Sequence, residues 1–156
     1  MFYEFYSLSG LPFEERIAPE KMLNDARFGN GLSRLEYFVQ GGMTALVTGP
    51  TGVGKSSLLR LFIQKLPANR YQPLYLHLTH VESTSFLRSL VIALGEKPGL
   101  GKDRIFAQIQ NKTLTNDRVT ILIIDEAHLL NEDALTDLRL LISAGWEDEI
   151  KLKIIL

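Results

Sequence analysis

The sequence contains no cysteine, which excludes both a disulfide framework and a metal site built from thiolates. It has no apolar run of about 18 residues and no amino-terminal signal of basic then apolar residues, so we expect a cytoplasmic protein without a membrane segment. The formal net charge of −1 excludes a strongly basic nucleic-acid module but leaves room for a local basic patch. Of the 156 residues, 46% are hydrophobic, enough for one domain with a sizeable core.

A glycine-rich loop and its flanks form the most specific motif in the chain. The apolar run Thr44–Thr48 predicts a short buried strand, and apolar residues from Leu58 onward recur at the spacing of one helix face. Between them, residues 49–56 fit the pattern G-x-x-x-x-G-K-S. Glycines let backbone N–H groups turn around a phosphate, and the following helix directs its positive dipole end at the same anion. We therefore predict a nucleotide-phosphate loop in which Lys55 reaches the terminal phosphates and Ser56 binds magnesium.

Two adjacent acids follow the third predicted strand, Val119–Ile124, whose residues are nearly all β-branched or apolar. Because open α/β sheets bind ligands at the carboxyl ends of their strands, we expect Asp125 and Glu126 to face the phosphate loop. Asp125 would hold magnesium together with Ser56, and Glu126 would orient or deprotonate the attacking water. The alternative is a polar strand end that caps the next helix. We expect His128 to be structural or to support a neighbouring group, not to bind the ligand.

Apolar periodicity elsewhere alternates strands with helices, which indicates parallel pairing and a three-layer α/β sandwich. A turn is predicted at 28–31 and a short helix at 32–40. Two helices separate the second and third strands, and one follows the acidic pair. These remaining elements are strands at 74–79 and 150–156 and helices at 83–94, 103–114 and 133–143.

The first 42 residues are expected to form an aromatic arm and a linker helix, and 43–156 the nucleotide-binding core. Within the arm, Leu11-Pro12-Phe13 either packs on the core or forms part of a pocket for the nucleotide base.

The phosphate loop and the acidic pair, with two helices between the second and third strands, resemble the initiator-like branch of the AAA+ ATPases. The arm from Phe5 to Phe13 looks like that of one subset, which includes transposon-encoded ATPases that assist a transposase and the ATPase component of type II secretion assembly. Residues 125–128 also spell the DEAH box of helicases. Such helicases carry two tandem motor domains and further motifs, for which this sequence has no room.

The resemblance implies a three-layer αβα P-loop NTPase with a parallel sheet of order 5-1-4-3-2, ATP and Mg2+ as cofactors, and rings or filaments with active sites shared between neighbours. The polar residue that contacts the catalytic Glu126 would be Thr79, with His77 the second choice; Thr79 could equally bond its own backbone. The phosphate-loop positions of the family carry over to Gly49, Pro50, Thr51, Gly52, Val53, Gly54, Lys55, Ser56 and Ser57.

The family's fifth strand, helical lid, sensor residues and arginine finger would lie beyond Leu156. We therefore expect a truncated piece of a longer ATPase that binds nucleotide weakly and hydrolyses it poorly.

Three functions are expected from the resemblance. The first is a DNA-transposition accessory ATPase that recruits or stimulates a transposase; the alternatives are a secretion-assembly ATPase and a nucleotide-gated interaction module. DNA contact would fall on basic residues of the two inserted helices and their loop, unless these form an ordinary solvated face. The basic set comprises Arg88, Lys97, Lys102, Arg104 and Lys112.

Overall fold

The computed structural model describes residues 5–8, 25–77, 82–143 and 151–156. Two predictions, the contact role of Thr79 and the base-pocket role of Leu11-Pro12-Phe13, fall outside these residues. The elements in chain order are α1 (Ala26–Gly41), β1 (Thr44–Ala45), α2 (Lys55–Lys65), β2 (Tyr71–His77), α3 (Ser83–Ala93), α4 (Lys102–Thr115), β3 (Val119–Asp125), a 3-10 turn (Ala127–Leu129), α5 (Glu132–Ser143) and β4 (Leu152–Ile155).

The four strands form one parallel sheet of order β1-β4-β3-β2. This is the predicted order for the first four strands of the AAA+ sheet, so the fold class is confirmed. β2 and β3 pair over their full length, from Tyr71 opposite Val119 to His77 opposite Asp125. Because all strands run the same way, their carboxyl ends meet at one edge of the sheet, where the phosphate loop also lies.

Helices cover both faces of the sheet, as a three-layer sandwich requires. Ile121 and Ile123 of β3 pack in a core with α1 and α2, whereas Leu122 and Ile124 pack in a second core with α3, α4 and α5. All four side chains are essentially inaccessible to solvent. The apolar run therefore alternates between two buried faces, as expected of a central parallel strand.

The predicted turn at 28–31 is wrong, because α1 begins at Ala26 and runs through these residues. The Asp25 carboxylate caps the helix by accepting a hydrogen bond of 2.8 Å from the Phe28 N–H. Gly31 lies where α1 crosses α2, and a Cβ atom there would come within 2.8 Å of the Leu58 side chain. Close packing between the helices thus accounts for a glycine that looks like a turn signal in the sequence.

The second strand begins earlier than predicted, and Pro73 lies inside it. Proline has no N–H to donate, but β2 is an edge strand with a neighbour on one side, so Pro73 is tolerated there. β1 is shorter than the predicted 44–48, although the Val47 N–H still donates to the Leu156 carbonyl at 2.7 Å. No helix among the described residues is long and apolar enough to span a bilayer.

Candidate nucleotide site

The loop between β1 and α2 is shaped by two glycines in the left-handed region, Gly52 at φ +81° and Gly54 at φ +97°. Side chains rarely adopt this conformation, so glycine is required for the turn. After Gly54 the chain enters α2 at Lys55, and the first helical N–H groups face the loop. The loop therefore presents backbone donors and a helix dipole at one place, as an anion site needs.

Lys55 folds back across this loop. Its Nζ donates to the Gly49 carbonyl at 2.9 Å and to the Pro50 carbonyl at 3.2 Å. The side chain is therefore held at the rim of the cradle, within reach of any anion that the loop binds.

The fold brings the loop and the acidic pair together. The Ser56 hydroxyl donates to Asp125 Oδ2 at 2.8 Å, although the two residues are 69 positions apart. Lys55, Ser56, Asp125 and Glu126 all line one cavity of about 640 Å³. The predicted juxtaposition of phosphate loop and strand-end acids is thus present in the structure, and the cavity has the size of an ordinary small-molecule site.

Asp125 accepts hydrogen bonds at both carboxylate oxygens. Oδ2 accepts from the hydroxyls of Ser56 and Tyr75, and Oδ1 accepts from the Glu126 N–H at 3.0 Å. Partial burial acts to raise the pKa of Asp125, but these three hydrogen bonds and the charge of nearby His77 outweigh it and hold the pKa below its usual value. The carboxylate is therefore ionised at neutral pH and points at the loop.

Tyr75 is the site residue that the sequence prediction missed. Burial, followed by its hydrogen bond to the Asp125 carboxylate, raises the pKa of Tyr75 to about 12, so its hydroxyl stays protonated. A signal was available, because residues near the carboxyl end of β2 must lie beside Asp125 once β2 is placed next to β3.

Glu126 adopts a left-handed backbone conformation with φ 59° and ψ 39°, which is uncommon for a residue with a side chain. Its side chain is partly exposed at the cavity, and Oε2 lies 3.2 Å from His128 Nδ1. His128 thus contacts the predicted catalytic acid, as the expected supporting role would require. That role remains a prediction.

The oxygen donors at the cavity fit Mg2+ in their chemistry. A hydroxyl and an ionised carboxylate from Ser56 and Asp125 are hard ligands, and Mg2+ is usually held by one or two such groups together with substrate phosphates. No cluster of three or more carboxylate or histidine side chains suited to a metal occurs within the described part of the chain.

The predicted basic set is partly engaged in ion pairs. Lys102 Nζ lies 2.9 Å from the buried Asp137 carboxylate, and Lys112 Nζ lies 3.5 Å from Glu96. The charge available to an outside partner on the inserted helices is correspondingly smaller than the sequence count suggests.

A parallel sheet flanked by helices, with a glycine loop and an acid pair at the carboxyl edge, defines a P-loop nucleotide-binding protein. Residues 39–156 match the family model described as AAA domain, and the chain belongs to that family of AAA-type ATPases.

Known proteins similar to this chain include a secretion protein and a DNA-bound solved structure. General secretion pathway protein A of Aeromonas hydrophila is 28% identical over 166 aligned residues, which cover 100% of this chain and 29% of that protein. The ORC1 protein of Aeropyrum pernix, solved in complex with DNA, superposes with a TM-score of 0.69 at 19% identity, over 85% of this chain and 38% of its own. The chain thus spans less than a third of the length of the secretion protein, and the ORC1 likeness concerns the fold.

Proposed function

We propose that the cavity binds ATP with Mg2+ and that the chain acts as an ATP-hydrolysing molecular switch. The hydrogen bond between Ser56 and Asp125 carries this proposal, because it joins the loop suited to phosphates to the acid suited to the metal. Family membership supports nucleotide binding in general. ATP is proposed over GTP because the sequence has no guanine-reading Asn/Thr-Lys-x-Asp motif.

Each group has a distinct task in this proposal. Backbone N–H groups of residues 49–57, apart from Pro50, which has none, bind the phosphates together with the α2 dipole. Lys55 exchanges its two carbonyl partners for phosphate oxygens. Ser56 and Asp125 would hold Mg2+, which when bound neutralises phosphate charge. Glu126, at the mouth of the cavity, orients the attacking water and accepts its proton.

A second cavity of about 440 Å³ adjoins the first and suits the nucleoside. It shares Gly54 and Lys55 with the phosphate cavity, and its apolar wall includes Phe28, Val53 and Leu58. An aromatic ring and aliphatic side chains beside a phosphate cradle offer a surface on which a base can pack. We place the base here, and the predicted contribution of Leu11-Pro12-Phe13 remains open.

Three biological settings remain as proposals; in one of them, a nucleotide-gated interaction module, ATP binding matters and hydrolysis does not. A secretion-assembly ATPase is supported by the similarity to General secretion pathway protein A along the whole of this chain. A transposition accessory ATPase, with DNA and a transposase as partners and self-association into rings or filaments, draws on the resemblance of the amino-terminal arm, which the secretion ATPases share. ATP-dependent, salt-sensitive DNA binding would favour the transposition setting, since protein contacts to DNA phosphates release counterions.

Binding and turnover in three variants test the proposed roles. We expect Lys55→Ala to lose ATP affinity by tenfold or more and to lose turnover, because the phosphates lose a direct cationic partner. We expect Glu126→Gln to keep ATP affinity and lose turnover, since the amide cannot accept the proton. Lys65→Ala, at the exposed end of the same helix, is the matched control and should match the unmodified chain.

Calorimetric titration with ATP and a phosphate-release assay provide the measurements. If Glu126→Gln loses binding while Lys55→Ala retains it, the two roles are assigned the wrong way round. If the unmodified chain binds no ATP in the presence of Mg2+, the proposed function is wrong.

A further inference from the structure

Tyr75 reaches the candidate site from β2, none of whose described residues lines the phosphate cavity; its contact with the site is the hydrogen bond to Asp125. It lies on β2 opposite Ile123 of β3, two residues before His77 faces Asp125. Its ring packs against the core beneath α1 and α2, and its hydroxyl emerges at Asp125 Oδ2. The ring is thus held by packing, while the hydroxyl is directed at one carboxylate oxygen.

Two hydroxyls converge on that same oxygen, one from Ser56 and one from Tyr75. They differ in what they can do when a ligand arrives. The Ser56 side chain is short and lies on the phosphate-loop helix, so its oxygen is available for a metal if it releases Asp125. Tyr75 comes from β2, outside the phosphate loop, and its hydrogen bond to Asp125 can persist when Ser56 moves. Asp125 therefore keeps one side-chain donor even when Ser56 has turned to the ligand.

We propose that Tyr75 is a positioning residue that holds the Asp125 carboxylate in its metal-binding orientation when Ser56 transfers to Mg2+ and nucleotide. The inference rests on the proposed function, because it assigns the tyrosine a part in the same site. Without the tyrosine hydroxyl, the carboxylate would lose its one side-chain donor outside the phosphate loop and would be free to rotate towards water. A group that hydrogen-bonds to a metal-binding side chain fixes the orientation of that side chain and so increases the affinity for the metal.

The predicted consequence is confined to metal-dependent affinity. We expect Tyr75→Phe to reduce the gain in nucleotide affinity that Mg2+ provides by about tenfold, the lower end of the loss usual when a partner behind a metal ligand is removed. Affinity for ATP in EDTA should stay within about twofold of the unmodified chain, since the loop and Lys55 are untouched. Titration of a fluorescent ATP analogue with and without Mg2+ measures both quantities.

The strand provides a matched control in Tyr71→Phe. Tyr71 lies four residues earlier on β2, is buried, and donates to the Val39 carbonyl at 3.5 Å, away from the acids. Its loss should leave the Mg2+-dependent gain unchanged. Combining Tyr75→Phe with Asp125→Asn closes a double-mutant cycle, and the tyrosine change should have no further effect once the carboxylate is gone.

The outcomes separate this inference from the function on which it rests. If Lys55→Ala abolishes ATP binding but Tyr75→Phe keeps the full Mg2+-dependent gain, the positioning role is wrong and the nucleotide site stands. A lower melting temperature with an unchanged Mg2+ gain would show that Tyr75 serves packing alone, which also overturns the inference. If the unmodified chain binds no nucleotide, both proposals are wrong.

Discussion

Among individual side chains, Glu126 stands out because it combines a strained backbone with an accessible carboxylate. A left-handed conformation costs a residue with a Cβ atom about 1 to 2 kcal/mol, and such strain is most often retained at functional sites. The turn aims Glu126 out of the sheet edge, whereas Asp125, one residue earlier, is 8% exposed and points at Ser56. Adjacent carboxylates thus occupy different environments, which suits the different tasks proposed for them.

The Tyr75 hydroxyl should make the free energy of unfolding depend on pH in the alkaline range. Burial and the Asp125 carboxylate raise the pKa of Tyr75 from 10.0 to about 12, so the folded chain holds this proton more tightly than the unfolded chain does. The resulting stabilisation is complete below pH 10 and is lost as the pH rises towards 12. We expect the free energy of unfolding in urea to fall more between about pH 10 and about pH 12 in the unmodified chain than in Tyr75→Phe. Equal losses in both would contradict the prediction.

At the scale of secondary-structure elements, the buried carboxylate of Asp137 links three helices. Asp137 of α5 is 4% exposed, accepts from the Ser83 hydroxyl at the start of α3, and pairs with Lys102 at the start of α4. The two inserted helices are therefore tied at their first residues to the helix that follows the acidic pair. Packing among Phe86, Leu90 and Ile105 completes the same cluster.

Removing this carboxylate should destabilise the fold without touching the cavity. We expect Asp137→Ala to lower the free energy of unfolding by about 2 to 3 kcal/mol, because a buried charged hydrogen-bond acceptor is lost from two partners. Thr136→Ala, at the neighbouring exposed position of α5, should change it by less than about 0.5 kcal/mol. Urea unfolding followed by circular dichroism measures both. A loss below about 1 kcal/mol in Asp137→Ala would show that its hydrogen bond to Ser83 and its ion pair with Lys102 contribute little to stability.

The sequence predicts correctly the elements in which apolar periodicity and end signals indicate the same boundaries. The β3 run, the two inserted helices and α5 were placed to within a residue or two, because buried strands are continuously apolar and the helices have one apolar face. The turn predicted at 28–31 failed because Gly31 serves contact with Leu58 on a distant helix, which no local pattern records. Tyr75 was missed because its partner Asp125 is 50 positions away, so the predicted pairing of β2 with β3, and not a local pattern, was the signal that could have found it.

At the scale of the whole molecule, the polar groups of the candidate site lie at the carboxyl edge of the parallel sheet, whereas the faces of the sheet pack against helices. The loop after β1 and the acids after β3 meet there, although β4 lies between the two strands. The alternating faces of β3 anchor that edge to both buried cores. A ligand that bridges the loop and the acids would therefore be coupled to the stability of the entire domain.

Ligand-induced stabilisation should report this coupling. ATP with Mg2+ at a hundred times its Kd should stabilise the folded chain by about 2.7 kcal/mol and raise the melting temperature accordingly. At the same concentration, the loss of tenfold or more in affinity expected for Lys55→Ala should reduce this stabilisation to about 1.4 kcal/mol or less. Thermal unfolding followed by circular dichroism, with and without ATP, provides the test. An equal shift in Lys55→Ala would mean that ATP stabilises the chain from somewhere other than the phosphate loop.

The two carbonyl contacts of Lys55 have a consequence for how fast the site is filled. Because the Lys55 ammonium group bonds the Gly49 and Pro50 carbonyls, the loop is held in one arrangement, and we expect a triphosphate to need little rearrangement beyond a swap of the lysine's partners. We then expect diffusional encounter to limit the association rate of the nucleotide. Its residence time should depend on how readily Lys55 returns to its two backbone carbonyl partners.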